Sequence, residues 1–247
     1  MTAAAPRVQG GMGHTPLLAP RLNPAVPRID PAVLAAYLGK YLPDLSDAVG
    51  ALYTMDPAIR PLHPAMPRVI GQALTVKTPP GDNLTVHAAL RMVQDGDVLV
   101  IDSRGHTGAC GSGAGSLVVP QRHGLRGIIT DGSWRDVAEL GNLGLGVYGR
   151  TVSPFSPAKR VLGEINVPVT CGGVIVMPGD LVVADAEGAV VIPQAAAQAL
   201  AELVPDYRPR RSDEWPVQDI TGPRANRIAG YLEQILDQVP ANAVTDF

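Results

Sequence analysis

Aromatic residues are scarce in this sequence: Phe, Trp and Tyr together make up 4% of it. Its core must therefore be built from Val, Leu, Ile and Ala. Cysteine is nearly absent. Cys110 and Cys171 stand far apart, which excludes a disulfide framework and a CxxC metal pair and predicts two buried free thiols in a reducing compartment. No sign of charge dominates, the formal net charge being −3, and no basic block or aromatic-interleaved basic stripe occurs, so a nucleic-acid partner is not expected. No apolar run reaches the ~18–20 residues that span a bilayer, so no membrane partner is expected either. Residues 1–27 lack a charged segment followed by an apolar one. They are rich in Ala, Pro and Gly and read as an arm or a strap over a neighbour rather than a signal. A cytoplasmic location is the expectation.

What is present is a folding sequence. Of 247 residues 46% are apolar and 17% charged, enough for one domain with extensions. Pro31 to Tyr41 has helical apolar spacing at Val33, Leu34, Tyr37, Leu38 and Tyr41, and capping residues at 44–48 predict a further short helix. Strands are expected at Val69 to Lys77, Asp97 to Asp102 and Gly127 to Thr130. Asp82 and Asn83 read as caps of a helix from Leu84 to Val93. Ser133 reads as the cap of a helix from Trp134 to Leu140, stopped by Gly141. Short strands follow at 147–148, 167–169, 174–176, 181–184 and 189–192, then helices at 194–203 and 224–239, with no internal repeat. The order is mixed, and an α/β sandwich fits it better than a regular doubly wound sheet.

Two stretches can carry chemistry. In Asp131-Gly132-Ser133-Trp134-Arg135-Asp136 a strand ends, a glycine turns the chain and a helix is expected to begin. Helix-start amides favour an anion there, Arg135 offers a planar fork to a carboxylate or enolate oxygen, and Asp136 offers oxygen to a hard divalent cation. The plainer alternative is that Asp136 complements the helix dipole while Arg135 pairs with Glu139 at i+4. The second stretch runs from Gly105 to Ser116, with five glycines in the eleven residues 105–115. Such a backbone can approach a small anion closely or can simply be a flexible connection. It matches neither GxGxxG, since the last position is Ser116, nor the Lys-[Ser/Thr] ending of a P-loop. His106 in this loop is a candidate acid or base, although a lone loop histidine is more often only solvated. Asp185 and Glu187 flank a tight turn, where acids need no function.

These residues resemble the RraA-like family of 4-hydroxy-4-methyl-2-oxoglutarate aldolases, oxaloacetate decarboxylases and regulators of ribonuclease activity. The resemblance lies in DLSDAVG (44–50), GDNLTVH (81–87), GDVLVID (96–102), RGIITDGSWRDVAEL (126–140) and CGGVIVMPGDLVVADAEGAVVIP (171–193). It implies a swivelling β/β/α sandwich, assembled as homotrimers or homohexamers with active sites between subunits. On that basis residues 31–204 form the family domain, 1–30 an N-terminal arm and 205–247 a linker and helix. The family's Gly-x(about 20)-Arg-Asp motif falls on Gly113, Arg135 and Asp136. By resemblance Asp136 binds Mg2+, Mn2+ or another divalent cation, and Arg135 is catalytic, contacting the substrate's keto oxygen. The backbone at Gly113, Ala114, Gly115 and Ser116 would hold the carboxylate of a 2-oxo acid. Asp102, His106, Glu139, Asp213 and Glu214 are candidates to support the site from behind these groups, the last two from a neighbouring subunit. The aldolases place an acid directly after the leading glycine, where this chain has Ala114. The regulator branch tends to lose the aspartate that this chain keeps as Asp136. The implied function is metal-dependent cleavage or decarboxylation of a 2-oxo acid through a pyruvate enolate. The alternatives are a non-catalytic regulator binding a ribonuclease or helicase, or a lyase on another 2-oxo or hydroxy acid. Some members carry a menaquinone methyltransferase name, but the glycine loop lacks the nucleotide pattern this would need.

Overall fold

In the computed structural model of the chain, residues 19–209 are described, together with Gly230 and Gln234 of the tail. The chain divides after Tyr207 into two units, and the fold below is that of the first. The expected helix at 224–239 lies outside the described residues except at Gly230 and Gln234, both helical. Asp213 and Glu214 lie outside them as well.

The three clearest apolar runs form the strands expected of them: β2 (Val69–Lys77), β3 (Asp97–Asp102) and β4 (Gly127–Thr130). β3 and β4 are buried at every position. That is why they read as continuous apolar runs rather than alternating ones: a parallel sheet covered on both faces has no solvent side. β2, β3, β4 and β6 (Gly146–Gly149) run parallel, and β1 (Arg60–Pro61) closes one edge antiparallel to β6. On the other side β2 pairs antiparallel with β11 (Leu181–Asp185), which turns through Ala186-Glu187 into β12 (Gly188–Ile192). β8 (Glu164–Ile165) adds to the far end of β2, giving the order β1-β6-β4-β3-β2-β11-β12. The outer strands β1 and β12 approach each other, so the sheet is nearly closed.

Helices and a small hairpin cover this sheet. α3 (Leu84–Leu90) and α5 (Val137–Leu143), with Leu117 at the start of α4 (Val118–Arg122), share one apolar cluster with Leu74, Leu99, Ile101 and Ile128. The opposite faces of the same strands, at Ala73, Val98, Val100 and Ile129, pack against the hairpin of β9 (Val169–Cys171) and β10 (Val174–Val176). A third cluster joins α1 (Pro31–Ala36), α2 (Leu42–Val49) and α6 (Ala197–Leu203) to β11 and β12. The result is the mixed α/β sandwich that the sequence pattern and the family resemblance lead one to expect. Cys110 and Cys171 are both buried and free, as expected, and burial pushes both thiols up.

The local differences have physical causes. The first helix is shorter than its apolar spacing: α1 ends at Ala36 and a 3-10 turn carries the chain to Gly39. α2 begins at Leu42 with Pro43 in its first turn rather than with the capping residues at 44–48. β9 occupies 169–171 instead of 167–169, because Val167 is spent accepting from the Thr75 hydroxyl. The largest difference lies at residues 133–136. Ser133 and Trp134 form a two-residue strand, β5, parallel to β7 (Thr151–Val152), and the helix starts only at Val137 and runs to Leu143. Ser133 is thus no cap; its hydroxyl donates to the carbonyl of Ala109 instead.

Candidate functional site

The site is built where the chain leaves the C-terminal end of β4. Asp131 is the first fastening. One carboxylate oxygen accepts from the Ser103 amide and hydroxyl at 2.7 and 2.8 Å, and the other from the Gly105 amide at 2.8 Å. The ends of β3 and β4 are thereby pinned together just where the glycine loop begins. That loop returns across β5. The Gly111 amide donates to the Ser133 carbonyl at 2.6 Å, and the Arg135 amide donates to the Ser112 carbonyl at 3.2 Å. Gly111 is needed for this approach, since a Cβ there would stand 2.9 Å from the ring of Trp134, which is wholly buried.

One turn further on, the two stretches meet through side chains. Arg135 Nε lies 3.8 Å from Asp136 Oδ2, both side chains being about 40% exposed. Asp136 Oδ2 accepts from the Ala114 amide at 3.1 Å. Gly113 faces both: a Cβ built on it would stand 3.0 Å from Asp136 Cγ and 3.1 Å from Arg135 Nε, with the carboxylate oxygen closer still. The glycine is therefore set by the crowd of its neighbours and not by its backbone, whose φ is −136°. Asp136 itself adopts φ +60° and ψ +39°, a left-handed conformation that costs most side chains energy and that aspartate tolerates better than most. Strain of this kind gathers at functional sites, where the surroundings hold it in place.

Arg135 is steered from a third direction. Its Nη1 donates to Ser156 Oγ at 2.7 Å, while Nε is enclosed and has no hydrogen-bond partner among the described residues. Ser156 belongs to a loop that sequence reasoning passed over. Buried Asp82 holds that loop: one oxygen accepts from the Arg160 and Val161 amides at 2.7 and 3.1 Å, the other from the Leu84 amide at 2.9 Å. So Asp82 starts α3 and clamps the loop bearing Ser156, and α3's N-cap position, Asn83, makes no side-chain cap bond. The only sequence signal for this was the density of proline and basic residues in SPFSPAKR.

Other expected site residues fall into place around this centre. Gly115 is exposed, with none of the described residues within 4 Å of the position a Cβ would take. Ser116 is turned inward, its hydroxyl donating to the Gly113 carbonyl and paired with the Ser112 hydroxyl, both at 2.7 Å. Asp102 is buried and its oxygens accept from the Arg104 and Thr170 amides, which fastens β3 to β9. Glu139 is exposed on α5 and forms no pair with Arg135, because Arg135 precedes the helix and the i+4 geometry never arises. His106 packs beside Gly81 and Gly108 and lines a small cavity with room for about one water, along with Thr78, Asp82, Cys110 and Ser133. No hydrogen bond or ion pair joins it to Arg135 or Asp136 among the described residues. No group of three or more His, Cys, Asp or Glu side chains suited to a metal occurs among the described residues either.

A family model described as RraA-like (Aldolase/RraA) matches residues 42–191 of this chain, the span that holds every part of the site just described. The chain belongs to the RraA-like family. A relative from Halalkalibacterium halodurans, provisionally named a 4-hydroxy-4-methyl-2-oxoglutarate aldolase, is 32% identical over 78% of this chain and 90% of its own length. One from Burkholderia multivorans, with the same provisional name, is 38% identical over 58% of this chain and 87% of its own. Among solved structures, that of Streptomyces coelicolor RraAS2 is titled an unusual member of the RNase ES inhibitor RraA protein family. It is 29% identical, with a TM-score of 0.64, over 72% of this chain and 93% of that one. An uncharacterised protein from Pseudomonas syringae shares the fold at a TM-score of 0.64 and 24% identity. The family thus holds both proteins named for catalysis and proteins named for inhibition. None of the described helices of this member is long and apolar enough to cross a membrane.

Proposed function

We propose that this RraA-like protein is a divalent-metal-dependent lyase that cleaves or decarboxylates a 2-oxo acid through a pyruvate enolate. The observation carrying this reading is the convergence of Gly113, Arg135 and Asp136, with the Asp136 carboxylate held on the Ala114 amide and the Arg135 guanidinium beside it. A guanidinium and a carboxylate at one partly open turn suit a reaction in which negative charge collects on a former carbonyl oxygen.

Asp136 would hold the metal. The donor set fits Mg2+ or Mn2+: a hard carboxylate on an accessible turn, with remaining positions left to water and substrate, as is usual for Mg2+. A divalent ion there supplies Lewis-acid polarisation of the keto oxygen. Arg135 presents its fork to that oxygen and stabilises the enolate as the carbon–carbon bond breaks. Ser156 and the Asp82-clamped loop keep the fork from swinging into solvent. The amides of Ala114 and Ser116 are engaged by Asp136 and by the Gly113 carbonyl. Capture of the substrate carboxylate therefore falls to the open backbone at Gly115. Ala114 has no carboxylate to order a proton-carrying water, so the proton must come from another acid. Asp213 and Glu214 of a neighbouring subunit in a trimer or hexamer are the candidates this reading keeps.

A coupled pyruvate-release assay across a panel of 2-oxo acids, with and without EDTA, tests the proposal. Turnover that disappears with EDTA, returns with Mg2+ or Mn2+, and falls ~10²–10³-fold in Arg135→Ala is the expected result. Near-wild-type oxaloacetate decarboxylation by that variant would sink it. The second reading, a non-catalytic regulator of a ribonuclease, is favoured by the likeness to RraAS2. Metal-independent binding to such an enzyme without any lyase turnover would select it.

A further inference from the structure

A second cavity, of about 570 Å3, opens at the other end of the sheet from the Arg135–Asp136 turn. β2, β3 and β4 run parallel, and the turn grows from the C-terminal end of β4. This cavity is bounded by the residues that precede those strands: Arg68 before β2, Gly96 before β3 and Arg126 before β4. The two places share no residue.

One wall is apolar. Pro31, Leu34, Ala35 and Leu38 line it at the i, i+3, i+4, i+7 spacing of a single helix stripe, and Ile70 of β2 joins them. Val33 packs on the core and Tyr37 is wholly buried in it, so the first helical segment has a conventional inner face. Its second apolar stripe is only partly covered among the described residues: Leu34 and Ile70 are half-buried against the same core, but Pro31, Ala35 and Leu38 are exposed, Leu38 at 71%.

The other wall is cationic. Three guanidiniums, of Arg28, Arg68 and Arg126, line the cavity against one carboxylate, that of Asp95. Arg126 is paired to Asp95 at 2.8 Å, and Arg28 is tied to the Asp97 carboxylate and the Asp95 carbonyl. Arg68 is the unspent one. Its Nη1 stands 3.9 Å from Asp185, at the outer limit of an ion pair, and its Nε and Nη2 have no acceptor among the described residues. Those two donors are enclosed, so a rotation of the side chain, which is 28% exposed, is needed to present them. A half-buried guanidinium without acceptors gains more from a carboxylate than a fully solvated one would. The cavity's volume lies in the range of small-molecule sites.

We propose that this cavity binds an amphiphilic monocarboxylate, its carboxylate on Arg68 and its acyl or aryl body along Leu34, Leu38 and Ile70. The site is separate from the lyase reading and stands or falls without it.

Calorimetric titration of the full-length protein with octanoate, below its micelle concentration, tests the proposal against two probes that each lack half of the ligand, acetate and octan-1-ol. Saturable octanoate binding is expected, with either probe at least tenfold weaker. Arg68→Gln should weaken octanoate about tenfold, and Leu38→Ala, at an exposed position where folding is not at stake, several-fold. In methyl NMR, octanoate should shift Leu34, Leu38 and Ile70. Failure of octanoate to bind overturns the proposal, as does acetate or octan-1-ol binding as tightly. Undiminished binding by both variants, or shifts confined to other methyls, would also overturn it. If Leu34 and Leu38 are instead covered by self-association, seen as concentration-dependent shifts without ligand, the stripe is an interface between copies and the proposal is wrong.

Discussion

The carboxylate of Asp136 fills the space that a side chain on Gly113 would need. The relation runs both ways, because the same carboxylate oxygen is held by the next amide along, that of Ala114. Gly113→Ala should therefore push the Asp136 carboxylate off its amide and displace Arg135 with it. The expected outcome is a loss of lyase turnover of two orders of magnitude or more. The accompanying stability loss, read from urea unfolding, should be only about 1–3 kcal/mol, typical of a single overpacked methyl.

The left-handed backbone of Asp136 separates its charge from its shape. Asparagine tolerates that conformation nearly as well as aspartate, and alanine does not. Asp136→Asn should unfold at the wild-type urea concentration yet lose metal-dependent activity. Asp136→Ala should lose the same activity and in addition about 1 kcal/mol of stability. Equal activity of the asparagine variant and the wild type would show that the carboxylate charge is not needed.

Asp82 satisfies three backbone amides with one buried carboxylate. Removing it in Asp82→Ala leaves those donors without an acceptor, at a cost of roughly 1–3 kcal/mol for a group so left. Hydrogen exchange should accelerate at the Arg160 and Val161 amides well before the strands β3 and β4 are affected. Activity should drop as well, because the freed loop carries the Ser156 hydroxyl that Arg135 uses. Unchanged exchange at 160–161 would mean that the clamp carries no weight.

Burial, aided by the charge of Lys159, holds the His87 imidazole below its usual 6.5. As pH falls from 6.5, the unfolded chain takes up this proton before the native protein does. The stabilisation is therefore whole above 6.5 and is lost as pH falls toward the lowered native value. Urea midpoints measured across that window should rise with pH, and His87→Gln should flatten the rise.

How much of this was legible beforehand follows from what each residue answers to. β2, β3 and β4 were readable to the residue because their apolar runs are closed by turns at both ends and buried on both faces. The Arg-Asp pair and Gly113 could be picked out through family resemblance, but their mutual contact could not, since it depends on a loop folding back over 22 residues. At Trp134 the local signal misled. Serine followed by a helical pattern is a good start signal, yet pairing with Thr151 and Val152 and the bond from Gly111 hold 133–134 extended. Tertiary partners overrode local preference, and two-residue strands such as β5 and β7 leave no periodicity to read. Ser156 went unnoticed for a related reason: a serine in a proline-rich loop has no partner until the fold supplies one.

Trp134 is wholly buried, pressed on Gly111, one peptide bond from Arg135, and its indole N–H has no hydrogen-bond partner among the described residues. An indole in so dry and apolar a place emits at short wavelength. Only one other tryptophan, Trp215, contributes to the signal. The protein thus carries a native optical gauge of the Arg135–Asp136 turn: replacing Trp215 by phenylalanine would leave a single emitter whose colour follows any shift of that turn, without a dye or a label.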